Sequence, residues 1–160
     1  FDGPYADLIQ SRAAEVGVTL VRSNQELADA SDLIFSVTPG SSSLESADAF
    51  APCLSSKHTF LDFASATPKI KQGVAAKLAP SGALLGDGSI EGTPLHGHSM
   101  RMLSSGPAGE RVRNLLVPWG MQIEYTGPVL GTASGIKILR SVLIKGRPLD
   151  GASPVSITSR

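Results

Sequence analysis

Four polar side chains near one end of the 160-residue chain are spaced three and four residues apart, so a helix would place them on one face. They are Ser134, Lys137, Ser141 and Lys145. A lysine that is partly shielded from water on such a face can act as a general base and then as a general acid. For a helix taken alone, however, a polar stripe is most simply the face that contacts solvent. The spacing by itself leaves both interpretations open.

Other residues offer weaker starting points for chemistry. His96 and His98 could be metal ligands, but only Glu91 lies at a helpful spacing from them, so ordinary loop histidines are favoured and no metal is expected. Asp2 stands where a strand could end, a position from which a carboxylate can accept hydrogen bonds from the ribose hydroxyls of a dinucleotide. It could equally be an exposed turn residue, since no Gly-x-Gly-x-x-Gly turn precedes it in this chain.

Apolar periodicity and turn residues predict the elements that would position these side chains. Helices are predicted over 4–16, 23–30, 42–54, 67–78, 107–117 and 133–145. Strands are predicted over 18–21, 32–37, 59–63, 83–85, 100–103 and 121–125. The run from Asp32 to Val37 is almost continuously apolar, which is typical of a central strand buried on both faces.

This alternation of strands and helices predicts an α/β fold. Right-handed β-α-β units build an open parallel sheet with helices on both faces, and the predicted architecture is therefore Rossmann-like. Ligands of such sheets bind beyond the carboxyl ends of the strands. The loops expected at that edge are 38–42, 64–67 and 87–96.

Composition limits the classes of partner. Fourteen Lys and Arg balance fourteen Asp and Glu, so no basic surface is expected and nucleic acid is not an expected partner. No apolar run reaches the roughly 18–20 residues of a membrane span, and no signal peptide is recognisable, so no membrane association is expected. The single cysteine, Cys53, fits a reducing compartment, and the cytoplasm is the expected location.

Four segments together resemble the β-hydroxyacid dehydrogenase family, which includes 6-phosphogluconate dehydrogenase and 3-hydroxyisobutyrate dehydrogenase. They occur in the family's order, and the resemblance covers roughly residues 1–146. The segments are Asp32–Pro39, similar to a cofactor-lining strand and loop; Asp62–Pro68, similar to D-x-S-T-x-S-P; Asp87–Thr93, similar to D-A-P-V-S-G-G; and Gly131–Ser141, similar to G-x-G-x-x-x-K-x-x-x-N.

The resemblance implies an NAD(P)-dependent oxidoreductase that transfers a hydride from the alcohol of a hydroxy acid to a nicotinamide. It makes Lys137 the catalytic general acid and base. The implied cofactor-binding residues are Asp2, Val37, Thr38, Pro39 and Ser65, and the implied substrate-binding residues are Glu91, Gly92, Thr93 and Ser141. NAD is favoured over NADP because no arginine lies beside Asp2 to meet a 2′-phosphate.

Two departures from the family pattern affect the expected substrate. Glu91 stands where a small hydroxyl residue usually anchors the substrate carboxylate, and a second carboxylate would repel that group unless it is protonated or turned away. Ser141 replaces an amide that often accompanies the lysine, and its hydroxyl has a shorter reach.

The resemblance also predicts the organisation of the chain. Residues 1–128 are predicted to form a Rossmann-like NAD(P)-binding domain that lacks its first βα unit. Residues 129–146 would be the first helix of a lost helical domain, and 147–160 a tail or linker. The full-length protein is expected to be a homodimer. The alternative hypothesis is a non-catalytic dinucleotide-binding or oligomerisation module, or an inactive fragment.

Overall fold

A computed structural model describes residues 4–92 and 100–145 of the chain. The helices in these residues are α1 (Ala6–Val16), α2 (Asn24–Ala30), α3 (Ser43–Phe50), α4 (Pro68–Leu78), α5 (Pro107–Leu116) and α6 (Thr132–Lys145). The strands are β1 (Leu33–Ser36), β2 (Thr59–Asp62), β3 (Leu84–Glu91), β4 (Arg101–Ser105) and β5 (Gln122–Tyr125). None of these helices is both long and apolar enough to cross a membrane.

The strands form one sheet in the order β1-β2-β3-β4-β5. The first three strands are parallel, β4 runs antiparallel to β3, and β5 is parallel to β4. The predicted α/β, Rossmann-like fold is confirmed, although the sheet is mostly rather than entirely parallel. Only residues 92–100 connect β3 to β4, whereas a crossover to a parallel strand needs about a dozen or more residues.

Helices cover both faces of the sheet. Phe60 of β2 packs in one hydrophobic cluster with residues of α3 and α4, and its neighbour Leu61 packs in a second cluster with residues of α5. Successive residues of a strand point to opposite faces, so both side chains are buried because each face has its own helices. The predicted two-sided burial of the sheet is therefore observed.

Two of the predicted strands are wrong in detail. Residues 18–21 form no strand: the segment follows α1 without pairing to the sheet, and Val18 is 58% exposed. The run 32–37 forms β1, but β1 is the first strand of the sheet order and not a central one. An apolar run identifies a strand without fixing its place in the sheet, because periodicity carries no information about neighbours.

The strand predicted over 83–85 is longer than expected. β3 continues to Glu91, so residues 87–91 belong to the sheet and not to a loop. Gly86 and Gly88 within this strand are needed for packing: a Cβ on Gly86 would overlap the Leu61 side chain, and one on Gly88 would overlap the ring of Phe63. Glycine within a strand commonly marks such a close approach.

Gly40 provides a similar contact at the carboxyl edge of the sheet. It begins a short 3-10 turn that leads from β1 into α3, and a Cβ at this position would overlap the backbone carbonyl of Ser65. Because backbone cannot move aside as a flexible side chain can, only glycine allows these two loops to touch.

Replacement of Gly40 by alanine is therefore expected to lower the free energy of unfolding by about 1–3 kcal/mol, the usual cost of overpacking. Gly135→Ala is the matched control, because its Cβ would meet only Pro68 Cγ, at an ordinary 3.6 Å. Alanine there is expected to be neutral or to stabilise helix α6 by about 0.5–1 kcal/mol. Urea denaturation of both variants tests this, and equal midpoints would contradict it.

Candidate active site

The end of β2 and the middle of β3 place two aspartates side by side. Asp62 and Asp87 are register partners in the parallel pair, and both are buried. Lys71 of α4 lies between them, with Nζ 3.1 Å from Asp62 Oδ2 and 3.4 Å from Asp87 Oδ1. Its Nζ also donates a hydrogen bond to the Asp62 carbonyl oxygen at 2.6 Å. The three residues form a buried carboxylate–lysine cluster.

This cluster contains two carboxylates for one ammonium, so Asp87 needs further donors. The Ser105 hydroxyl donates to Asp87 Oδ2 at 3.2 Å, and the backbone N–H of Ser134 donates to the same oxygen at 2.9 Å. The Ser134 hydroxyl donates to Oδ1. Ser134 lies in the first turn of α6, where unpaired N–H groups and the helix dipole favour an anion. Asp87 therefore anchors the N-terminus of α6.

The same cluster orients the loop that follows β2. Asp62 Oδ1 accepts a hydrogen bond from the backbone N–H of Ala64 at 2.9 Å, which fixes the chain just before Ser65. Lys137, one turn along α6 from Ser134, extends to this loop and donates from Nζ to Ser65 Oγ at 3.2 Å. Both partners of the Lys137–Ser65 hydrogen bond are thus held by the buried cluster.

The Lys137–Ser65 pair lies in a cleft of about 750 Å³ at the carboxyl edge of the parallel strands. This volume is within the range of about 300–1,000 Å³ typical of small-molecule sites. Among the described residues, the lining consists of small hydroxyl-bearing and aliphatic residues together with one charged residue, Lys137. The lining residues are Gly40, Ser41, Ala64, Ser65, Ala66, Thr67, Ile70, Ser89, Ser134, Lys137, Ile138, Ser141 and Val142.

A second ionic contact connects β3 with α6 beside this cleft. The Glu91 side chain is only 7% exposed, and its Oε2 contacts Nη1 of Arg140. The hydroxyl of Ser89, a cleft residue, donates to Glu91 Oε1 at 2.9 Å. Glu91 is therefore not directed into the cleft as an unpaired carboxylate, because both of its oxygens have partners.

No family model and no protein of curated function matches the sequence. Solved structures do match the fold. A conserved hypothetical protein from Sinorhizobium meliloti is 29% identical with a TM-score of 0.83, and the match covers 91% of this chain and 48% of that one. A conserved protein of unknown function with structural similarity to 3-hydroxyacid dehydrogenases is 25% identical with a TM-score of 0.77, covering 90% and 52%.

The chain has the 3-hydroxyacid dehydrogenase-like fold. An imine reductase from Myxococcus stipitatus, solved with NADP⁺, shares this fold at 20% identity and a TM-score of 0.73, and the match covers 88% of this chain and 51% of that one. The chain thus spans about half the length of the proteins that it matches.

This 3-hydroxyacid dehydrogenase-like fold brings some of the predicted site residues together. Lys137, Ser65 and Ser141 all line the cleft. Glu91 lies beside it, and Gly92 follows at the end of β3, exposed and with a φ of 100°.

The remaining predicted residues do not line the cleft. Val37, Thr38 and Pro39 follow β1 at the carboxyl edge, where their neighbours Gly40 and Ser41 line the cleft instead. Val37 is 66% exposed. Asp2 and Thr93, like His96 and His98, lie outside the described residues. In the part of the chain that is described, no three His, Cys, Asp or Glu side chains are grouped as metal ligands would be.

The residues that anchor the site were not predicted from the sequence. Lys71 lies on the buried face of α4, three residues before Val74 and seven before Leu78. A charged residue on an apolar stripe, together with aspartates near the ends of two successive predicted strands, is a signal that could have located the cluster. Ser134 was noted only as part of the polar stripe, yet it is buried.

Replacing Lys71 by methionine would leave two adjacent buried carboxylates without a cation. The free energy of unfolding is expected to fall by about 3–5 kcal/mol, the usual cost of removing one partner of a buried pair. Lys77→Met is the control on the same helix: Lys77 pairs with Asp48 at 2.6 Å, but the pair is exposed, and a change within about 1 kcal/mol is expected. Denaturant titration measures both, and similar losses would refute the structural role of the cluster.

Proposed function

We propose that this chain forms the NAD(P)-binding part of an oxidoreductase of the β-hydroxyacid dehydrogenase class. The reaction is hydride transfer from the alcohol of a small hydroxy acid to a nicotinamide. The observation that carries the proposal is the position of Lys137, whose Nζ lies 3.2 Å from Ser65 Oγ inside a cleft at the carboxyl edge of the sheet. Ligands of open α/β sheets bind at this edge.

The chemistry requires a group that removes the hydroxyl proton as the alcohol becomes a carbonyl. Lys137 fills this role as a general base in oxidation and as a general acid in reduction. The Ser65 hydroxyl holds Nζ at the cleft, and the anchored first turn of α6 fixes the height of Lys137 above the sheet. Positioning of this kind accounts for a large part of enzymatic rate enhancement.

The residues around the cleft fit a nicotinamide dinucleotide. Small side chains at Gly40 and Ala66 leave space, and the hydroxyls of Ser41, Ser65 and Thr67 can donate hydrogen bonds to it. When bound, the cofactor would supply the hydride acceptor. In the proposal Ser65 lies at the nicotinamide end, while Val37, Thr38 and Pro39 lie toward the adenosine.

The solved neighbours support a cofactor of this chemical class. Structures of the Myxococcus stipitatus imine reductase include one with NADP⁺ and a variant with NAD⁺, so both forms occur on this fold. For this chain NAD is proposed because of Asp2, and the substrate is proposed to be a hydroxy acid that reaches Lys137 and Ser141.

A second candidate function is a non-catalytic dinucleotide-binding or oligomerisation module. It is favoured by the outer face of α6, where Leu139, Val142, Leu143 and Ile144 are each more than 60% exposed. An apolar surface of this kind is typical of a contact with another chain or domain, and a homodimer would bury it.

Replacement of Lys137 by alanine in the full-length protein separates the two candidates. Turnover of β-hydroxy acids, followed as reduced nicotinamide absorbance, is expected to fall by about 100- to 10,000-fold, the range for loss of a general acid–base group. Cofactor affinity, measured by fluorescence titration, is expected to stay within about threefold, a free-energy change below 1 kcal/mol. Lys77→Ala, in the exposed pair with Asp48, is the control and should retain full turnover. Unchanged turnover in the Lys137 variant would remove the catalytic assignment.

A further inference from the structure

Glu91 lies at the end of β3. An unpaired carboxylate at this position would repel the carboxylate of a substrate. The Glu91 side chain is nearly buried, and both oxygens are occupied, one by the Ser89 hydroxyl and the other by Arg140. The negative charge of Glu91 is therefore neutralised within the protein. The guanidinium of Arg140, which Glu91 holds, lies next to the cleft lining, directly before Ser141.

Arg140 retains capacity for a ligand. Its side chain is 45% exposed, and its contact with Glu91 uses Nη1. A guanidinium has five N–H donors in a planar fork, so Nε and Nη2 remain without a protein acceptor in the described part of the chain. This fork matches the two oxygens of a carboxylate better than any other side chain does.

The position of Arg140 on α6 relates it to the catalytic lysine. It follows Lys137 by three residues and directly precedes Ser141 of the cleft. Side chains three residues apart on a helix have Cβ atoms about 5–6 Å apart, so one small molecule can contact both. Lys137 lies in the cleft and Arg140 beside it, so both can present N–H donors to one anionic ligand.

We propose that Arg140 binds the carboxylate of the substrate and that Glu91 is a positioning residue for Arg140. This inference rests on the proposed function, since Lys137 must lie at the hydroxyl of the same molecule. Substrates without a carboxylate should then be recognised poorly.

The test uses a panel of β-hydroxy acids, beginning with 3-hydroxypropionate, and the uncharged methyl ester of each. For the wild-type protein with NAD or NADP, kcat/KM is expected to favour an acid over its ester by at least about 10-fold, as for loss of a hydrogen bond to a charged group. In Arg140→Gln the KM for the acid should rise by a similar factor, and the ratio of kcat/KM for the acid to that for its ester should fall accordingly. Glu91→Gln should weaken the acid preference in the same direction.

Arg113→Gln is the matched control, because Arg113 is exposed on α5 and donates to Asn114 Oδ1, and the residues that line the cleft include none from α5. It should retain the acid preference. Equal turnover of acid and ester by wild-type protein, or an unchanged preference in Arg140→Gln, overturns the inference and leaves the proposed function standing.

Calorimetric binding of 3-hydroxypropionate decides the remaining case, in which the wild-type protein oxidises neither acid nor ester and the proposed function fails. Weaker binding to Arg140→Gln than to wild type would still place a carboxylate on Arg140. Equal affinity, or no binding to either protein, would overturn that assignment as well.

Discussion

The ammonium of Lys71 between the carboxylates of Asp62 and Asp87 is the interaction on which the arrangement of the site depends. Asp62 ends β2, and Asp87 is its register partner within β3, so two buried carboxylates lie side by side and repel each other unless a cation lies between them. Lys71 resolves the conflict and at the same time holds α4 against the sheet. Because the cluster is buried, its geometry is shielded from salt and water.

The excess negative charge of the cluster explains why α6 begins where it does. Asp87 accepts hydrogen bonds from the backbone N–H and the hydroxyl of Ser134 in the first turn of that helix, while Ser105 Oγ of β4 accepts one from the N–H of Ala133 at 3.2 Å. A helix end buried against a sheet needs such partners, since unpaired N–H groups are costly. Buried ion pairs add little net stability compared with apolar packing, so their contribution here is to specify one arrangement. That arrangement places Lys137 next to Ser65.

Periodicity in the sequence predicted most helices and strands because apolar stripes repeat at the spacing of the element that buries them. The resemblance to a dehydrogenase family predicted site roles for Lys137, Ser65 and Ser141, and these three residues line one cleft. Long-range relations were not accessible in this way. The place of β1 as the first strand of the described sheet and the reversal at β4 depend on which strands become neighbours. The burial of Lys71 is likewise explained only by its contacts with Asp62 and Asp87, which lie apart from each other in the sequence.

Two residues on one face of β3 contact α6, and these contacts fix the position of the helix beside the site. Asp87, Ser89 and Glu91 share one face of β3, because side chains repeat at every second residue. Asp87 contacts Ser134, and Glu91 contacts Arg140. The strand advances about 13 Å over these four residues, and the helix about 9 Å over its six, so the long Arg140 side chain spans the difference. Lys137 lies between the two contacts, and its height above the sheet is therefore fixed from both sides.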